Sequence, residues 1–426
     1  GVNASVNGID FGTLRDYRLR VVKTMVGGLA GLLAHRGITV FRANAAFHAD
    51  ETAPATSNHI VHLVPSPDQS DILTYHKADV PEPSGPTMDL TATNIVIATG
   101  AKPRPLPGNP FAGALIDSTQ ALEVNEFPSS AVIIGAGAIA LEFASMWNAA
   151  GSKVTLLIRK DRVLSAWDRR AGTTLTRELK RHGVNIITRA SVTHVDTGAN
   201  LGATVHYTRE GQDGEQSVWG EIALVAIGRD PITDPAWGVT IDDHGHVATD
   251  AYGRTDKPGV WAVGDVTAGH ALAHRAFEQG IVIAETIAGL NPKPVDEATV
   301  PQIVFSFPEA ASVGLTVEQA QAREDLIEIK ETNYPMLANA RMLMSGTAGS
   351  LTIVSGCDAA NPDTPRVLGV HMVSQMASDI IAEAEQLVGN HVPLADAARL
   401  VHPHPTFSET LGEALLKADG RPLHTR

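Results

Sequence analysis

Sulfur and positive charge are what this chain has least of. Its 426 residues contain one cysteine, Cys357, so no disulfide can close within them, and such sparse use of thiols fits a reducing compartment. Lysine and arginine number 33 against 47 aspartate and glutamate residues, for a net charge of -14. Phosphate-rich surfaces repel that balance, which argues against a nucleic-acid or anionic-membrane partner. No apolar run approaches the roughly 18 to 20 residues of a membrane span, and the opening residues lack the basic, apolar and small-residue order of a secretory signal. The cytoplasm is the expected location. With 43% apolar and 19% charged residues, the chain has room for a large core and two to four domains.

What is present is divided by its punctuation. Residues 10–36 read as a long amphipathic helix, with Leu14, Tyr17, Val21, Met25 and Leu29 at helical spacing before Gly37. Residues 38–41 read as a strand and 59–64 with 71–75 as a hairpin, while the Pro-, Ser- and Asp-rich pieces 52–58, 65–70 and 80–88 read as loops. An apolar strand at 95–98 stops at Thr99-Gly100, and Pro103, Pro105 and Pro107 stiffen the crossover that follows. Residues 131–134, 138–150 and 154–158 have the strand, helix, strand order of a βαβ unit. A helix at 170–182, a strand at 184–188, a hairpin turning near Gly211 and Gly214 and a strand at 222–227 complete that domain. The last strand ends at Gly228 with turn chemistry like that of Thr99-Gly100, and a second crossover follows at 228–235. A strand at 259–265 then meets a helix at 271–289, and the region from Val300, with two hairpins and a helix near 376–388, reads as an α+β module.

Three places carry chemistry. Gly135-Ala136-Gly137-Ala138-Ile139-Ala140 follows an apolar strand and opens a helix, the context in which such a turn binds a dinucleotide. Gly135 permits the tight turn, Gly137 lets the backbone approach a pyrophosphate, small Ala140 lets helix and strand pack closely, and the helix N-terminus attracts the anion. An acidic residue about 20 positions on would select NAD through a ribose hydroxyl. This strand ends instead in Ile158, then Arg159 and Lys160, with Arg162 beyond. Those cations suit a 2′-phosphate, so NADP(H) is favoured and NAD stays open; a solvated basic loop is the competing reading. His270 and His274 have a helical metal-ligand spacing but no evident third ligand, and no metal is expected. In the tail, His404 and Glu409 stand five residues apart. An imidazole, with its ordinary pKa of about 6.5, suits proton exchange with a thiol when a carboxylate orients it. Cys357, expected in a hairpin loop at 355–362, is expected to take no part.

Four segments in order, Ile97-Ala98-Thr99-Gly100, the Gly135 turn, Ala262-Val263-Gly264-Asp265 leading to Leu272-Ala273-His274, and the tail, resemble the flavoprotein disulfide reductases along the whole chain. Within that family the likeness is closest to the dihydrolipoamide dehydrogenases. The resemblance implies Rossmann-like FAD and NAD(P) domains in an α/β fold, with a C-terminal α+β dimerisation domain. The expected bounds are 1–125 for an FAD domain incomplete at its N-terminus, 126–247 for the NAD(P) domain, 248–299 for a second FAD-contacting segment and 300–426 for dimerisation. It implies that Ala45 lies near the adenine, with Thr99 and Gly100 on the same side. Asp265, after Gly264, would bond the ribityl chain, and the helix start at Leu272, Ala273 and His274 would face the flavin ring. Glu142 would lie close to the nicotinamide, and Gly228 would border the dinucleotide. His404 would protonate a thiolate leaving group across a homodimer interface, oriented and made more basic by Glu409, with His402 in support and Pro405 in a cis peptide.

Members of the family precede the first helix with a strand, a Gly-rich turn on the FAD pyrophosphate and a spaced pair of cysteines. Those features are absent from this sequence, a stretch on the order of 30 residues or more, and the chain as written is expected to bind flavin poorly. The first functional expectation is FAD-mediated oxidation of a dihydrolipoyl dithiol with hydride transfer to NAD(P), the partner being a lipoyl domain of a 2-oxo acid dehydrogenase complex. The alternatives are an NADPH-dependent reductase of another disulfide or a quinone, and an inactive family member serving dimerisation or binding.

Overall fold

The computed structural model of the protein describes residues 2–5, 7–48, 59–67, 72–75, 87–198 and 202–425. These form two compact units, Gly1–Lys102 with Asp230–Val295, and Pro103–Arg229 with Asp296–Arg426.

The second unit is built on a five-stranded parallel sheet. Its middle strand, Ser130–Ile134, runs between Lys153–Leu157 and Ile222–Val225, with Asn185–Ile187 and Leu115–Ile116 at the edges. Val132 and Ile133 are fully buried on opposite faces, which is why this strand reads as an unbroken apolar run. Over one face lies the helix Ala138–Ala149, turning Ala140, Leu141, Phe143, Ala144 and Trp147 inward. The helix Arg169–Arg181 shares that core through Leu175 and Leu179. It starts where Asp168, itself buried, accepts the Ala171 N–H at 2.8 Å, satisfying one of the free donors of the first turn. The other face is covered by an antiparallel meander, Ala190–Asp196, Ala203–Arg209 and Gln216–Gly220, which contributes Ala190, Ala203, Val205 and Tyr207.

The same unit ends in a five-stranded antiparallel sheet ordered Gln302–Val304, Glu309–Gly314, Asn361–Ser374, Ser350–Asp358 and Leu326–Pro335. The helices Ala377–Gly389 and Glu409–Ala418 bury Ile380, Ile381, Ala384, Leu411 and Leu415 in its core. The expected order of α/β sheet followed by α+β module is therefore present. Cys357, however, is in the strand Ser350–Asp358, opposite Ile327, and not in a loop. The chain stays extended to Asp358 because Asp358 pairs across the turn with Asn361.

The first unit differs more from expectation. The hairpin of 59–64 with 71–75 does not form. His59–Val64 is instead the middle strand between Asn44–Phe47 and Met88–Ala92, and Leu73–Tyr75 pairs with Val40–Arg42. Strand alternation specifies which face a residue takes, but leaves the partner strand to distant packing. Met88–Ala92 starts within a stretch expected to be loop; residues 52–58, 68–70 and 80–86 of the expected loops lie outside those described. The strands Ile95–Ile97 and Val260–Ala262 pair in parallel over a core of Ile97, Trp237, Val247, Val260 and Val266.

The first helix is Phe11–His35, capped by Asp10, which accepts the Thr13 N–H at 3.0 Å. None of its residues is buried, and Tyr17, Met25 and Leu29 are all more than half exposed. The apolar periodicity correctly marks the helix, but no described element covers its stripe.

Because Ile133 is central to the parallel sheet, Ile133→Ala should destabilise the protein by about 2–5 kcal/mol through lost burial and a residual cavity. Chemical denaturation of wild type and variant measures this; a difference under about 1 kcal/mol would show that the strand is not part of a tightly packed core.

Candidate functional site

The tail and the cap of the short helix Ala340–Ser345 bring His404, Glu409 and Asn339 together. His404 Nδ1 donates to Glu409 Oε2 at 2.8 Å, and the His404–Pro405 peptide is cis. Glu409 opens the helix Glu409–Ala418, where the N-terminal dipole favours a carboxylate. Its other oxygen accepts from Asn339 Nδ2 at 2.7 Å, and the same amide nitrogen donates to the Thr406 carbonyl at 3.0 Å. Asn339 is buried, and its own carbonyl accepts the Met342 N–H at 3.0 Å. Both ends of this amide are therefore engaged, which fixes Glu409 from behind. The imidazole remains open, with 76% of its side-chain surface exposed against 16% for Glu409. Its Nε2 edge is thus available to a reactant.

Sequence reading did not single out Asn339; 70 positions separate it from Glu409, and an Asn before a helix is commonly just a cap. Tyr334, buried nearby, is pushed up to about 12 by burial, with Glu413 and Glu409 adding to the shift, so its hydroxyl stays protonated. His402, two residues before His404, has a different role. Its Nε2 meets Glu383 Oε1 at 2.9 Å with the ring almost enclosed. The Glu383 hydrogen bond holds the His402 pKa above the ordinary value, against the effect of burial.

In the parallel sheet, Gly135 has φ +140° and passes so close to the next strand that a Cβ would sit 2.2 Å from the Ala226 carbonyl oxygen. Gly137 starts the helix Ala138–Ala149 with no side-chain cap, and among the described residues nothing beyond its own chain neighbours lies within 4 Å of where its Cβ would be. Ala138 and Ile139 are half-buried and Ala140 is fully buried. Uncapped N–H groups over an open backbone make a cradle that fits a pyrophosphate. Gly228, with φ +136°, accepts the Arg104 N–H at 3.1 Å on its carbonyl oxygen. Ile158 is in the core, so its side chain offers nothing to a ribose, whereas Arg159 and Lys160 are exposed. Arg162 folds back onto the Ser165 carbonyl at 3.0 Å. Glu142 Oε1 accepts the Phe305 N–H at 3.0 Å; its pKa is raised by burial, with that hydrogen bond opposing.

In the first unit, Gly264 has φ +76° and Asp265 follows in the turn Gly264–Val266. The Gly264 N–H donates to Gln279 Oε1 at 3.0 Å, and its carbonyl accepts the Thr267 hydroxyl at 2.8 Å. Buried Arg275 braces the turn through Thr267 and the Ala268 carbonyl. Leu272 precedes the helix Ala273–Ile287 without a side-chain cap, leaving Ala273 and His274 at its exposed start. Thr99 donates its hydroxyl to the Ile232 carbonyl at 2.6 Å, and Gly100, with φ +70°, accepts the Ile232 N–H at 2.9 Å. Ala45 is exposed on the strand Asn44–Phe47, opposite Leu63. The uncapped helix start and the braced Asp265 turn fit the ring and ribityl portions of a flavin.

His194, His206 and Glu215 form a potential ligand cluster outside these regions, where sequence reading expected no metal.

Residues 4–280 match the family model for pyridine nucleotide-disulphide oxidoreductase, and residues 300–415 match that for its dimerisation domain. The chain is 31% identical to dihydrolipoyl dehydrogenase of Geobacillus stearothermophilus over 429 residues, covering 100% of this chain and 83% of the relative. It is 38% identical to dihydrolipoyl dehydrogenase of Cupriavidus necator over 341 residues, 79% of this chain and 70% of the relative. Among solved structures, LpdA from Mycobacterium tuberculosis shares the fold, with a TM-score of 0.80 at 23% identity over 97% of this chain and 84% of that one. The Cu(II) complex of HOCl-induced flavoprotein disulfide reductase RclA from Escherichia coli superposes with a TM-score of 0.71 at 25% identity, covering 88% and 77%.

The enclosed His402–Glu383 pair makes stability depend on pH. With the folded value raised, its contribution is full below the unfolded imidazole value of about 6.5 and is lost as pH rises through the raised value. The gap in melting temperature between wild type and His402→Ala should therefore be wider near about pH 6 than near about pH 9. A gap that stays level or widens toward alkaline pH contradicts the pairing.

Proposed function

As the chain belongs to the pyridine nucleotide-disulphide oxidoreductase family, whose members use FAD and NAD(P), we propose that its reaction is oxidation of a dihydrolipoyl dithiol. The observation that carries this reading is the His404–Glu409 pair at 2.8 Å, anchored by Asn339 and open at Nε2. Since the carboxylate can only accept, it holds the proton on Nδ1 and leaves the Nε2 lone pair for a substrate thiol. His404 takes the thiol's own proton on Nε2 as the thiol becomes a thiolate, the nucleophile of dithiol exchange. When exchange runs in reverse, the same ring returns it to the leaving sulfur. Glu409 keeps the imidazole aimed in both directions.

When bound, the flavin supplies the two-electron link between dithiol and nicotinamide. Asp265 and the start of the helix Ala273–Ile287 would hold its ribityl and ring portions, while Gly135, Gly137 and the start of the helix Ala138–Ala149 would hold the nicotinamide nucleotide. The exchanging cysteine pair is not among these 426 residues, whose one thiol is Cys357. The residues from Val300 onward carry the family's dimerisation domain, and a homodimer in which His404 serves the partner's thiols fits its exposure. A lipoyl domain is the proposed macromolecular substrate, in keeping with the named activity of the bacterial relatives.

A second reading has one observation in its favour. Exposed Arg159 and Lys160 follow buried Ile158 where an acidic residue would select NAD, so an NADPH-dependent reductase of another disulfide or a quinone is the alternative.

In the enzyme complete with its redox cysteines, His404→Ala should lower dihydrolipoamide turnover by at least ~10²-fold; near-normal turnover would remove the histidine from the mechanism. Arg159→Ala should weaken NADPH more than NADH, read as the change in each KM. Equal losses would show that this arginine does not sense a 2′-phosphate.

A further inference from the structure

A second constellation lies on the solvent face of the meander, unconnected to the groups above. One ligand atom each from His194, His206 and Glu215 lies within 4.8 Å of the other two. We propose that these residues bind a divalent transition-metal ion of the zinc class, which clamps the strands Ala190–Asp196 and Ala203–Arg209 to the start of Gln216–Gly220.

The strand geometry makes the cluster. Along Ala203–Arg209, alternation turns Ala203, Val205 and Tyr207 into the core and His206 outward. On the neighbouring strand Val192 faces Tyr207 and Val195 faces Val205, both packing inward. Strict alternation from Val192 would turn His194 inward too. The register shifts between Val192 and His194, however, so Thr193 is an added residue and His194 comes directly opposite His206 on the outer face. A bulge of this kind re-aims a side chain at the expense of a regular ladder.

The two rings then stack at 4.1 Å between centroids and 8° between planes. Like edges coincide. Both Nδ1 atoms face the Glu215 carboxylate, at 3.7 Å from His194 and 3.6 Å from His206. Both Nε2 atoms face Asp196 Oδ2, at 3.9 and 3.1 Å. Thr193 donates its hydroxyl to Glu215 at 2.6 Å and so positions the carboxylate, as outer partners of metal ligands do.

Two imidazole nitrogens and one carboxylate oxygen make three of the four ligands zinc takes, with water able to complete the set. Nitrogen donors also favour a transition metal over calcium or magnesium, which prefer oxygen. An ion must lie near the plane of each ring to meet its lone pair, so the parallel rings have to rotate open as they close on it. Side-chain exposures of 47% for His194 and 23% for His206 leave room for that rotation. Once bound, the ion would hold groups from three successive segments, and the bulge that sacrifices a regular pairing would gain a cross-link in return.

The test is a Zn2+ titration of the purified full chain by calorimetry, with melting temperatures measured in zinc and in chelator. Wild type should take up one zinc equivalent more than the double variant His194→Asn, His206→Asn, and zinc should raise the melting temperature of wild type alone. Glu215→Gln should weaken that equivalent by at least about tenfold. Because the variants alter surface residues, matching melting temperatures in chelator establish that they fold. Equal zinc stoichiometry and affinities within about twofold in wild type and double variant would overturn the site and leave the stacked histidines as a surface ionic cluster. Anomalous scattering from zinc bound elsewhere, with none at His206, would do the same.

Discussion

How closely the backbone can pass over itself at two glycines determines where two helix starts, at Ala138 and Glu409, are placed. At Gly135 a side chain would collide with the Ala226 carbonyl oxygen at 2.2 Å. That contact locks the turn after Ser130–Ile134 against the end of the neighbouring strand, and only then are the N–H groups at Gly137 presented over open space. Ala140, fully buried one turn on, keeps the helix close enough for the same purpose. In the C-terminal module the corresponding residue is Gly412, whose Cβ would lie 2.4 Å from His402 Nδ1. Its absence lets the helix Glu409–Ala418 run against the His402 ring. Glu409 is thereby delivered, at the first position of that helix, to His404.

Two neighbouring histidines in this module each have a glutamate, and burial separates their roles. His402 is almost enclosed and tied by both ring nitrogens, to Glu383 and to the Leu400 carbonyl. A ring with both edges occupied cannot accept a substrate proton without giving up a structural bond. His404 uses one edge for Glu409 and exposes the other. The shared feature of a nearby carboxylate thus ties down an enclosed ring in one case and orients an open one in the other, and solvent access makes the distinction.

This contrast also explains what could be read in the sequence. The His404–Glu409 pair was legible because five residues and a helix start place both groups together. The Gly135 turn was legible because its strand and helix flank it directly. Asn339 was not, since its contact with Glu409 bridges 70 positions of sequence and depends on how the helix Ala340–Ser345 is capped. The pairing of Leu73–Tyr75 with Val40–Arg42, in place of His59–Val64, was hidden for a related reason: alternation describes faces and leaves partners undetermined. The helix Phe11–His35 shows the converse. Its periodicity gave the right element, but the burial that such a pattern implies is absent among the described residues. His194 illustrates a third kind of loss, because a bulge reverses the face that alternation assigns, and nothing local in the sequence marks it.

The position of Cys357 constrains the chemistry most sharply. Its strand lies inside the antiparallel sheet, its side chain is fully buried, and burial, followed by the charge of Glu328, pushes its thiol above the ordinary range. Exchange requires a thiolate that another sulfur can reach, and Cys357 meets neither requirement. It packs as a small apolar residue. His404, in contrast, is exposed and turns its unbonded nitrogen away from the carboxylate that holds it. The sealed thiol of Cys357 and the open ring of His404 therefore differ in access, the property exchange chemistry needs, and of the two groups it is His404 that faces solvent.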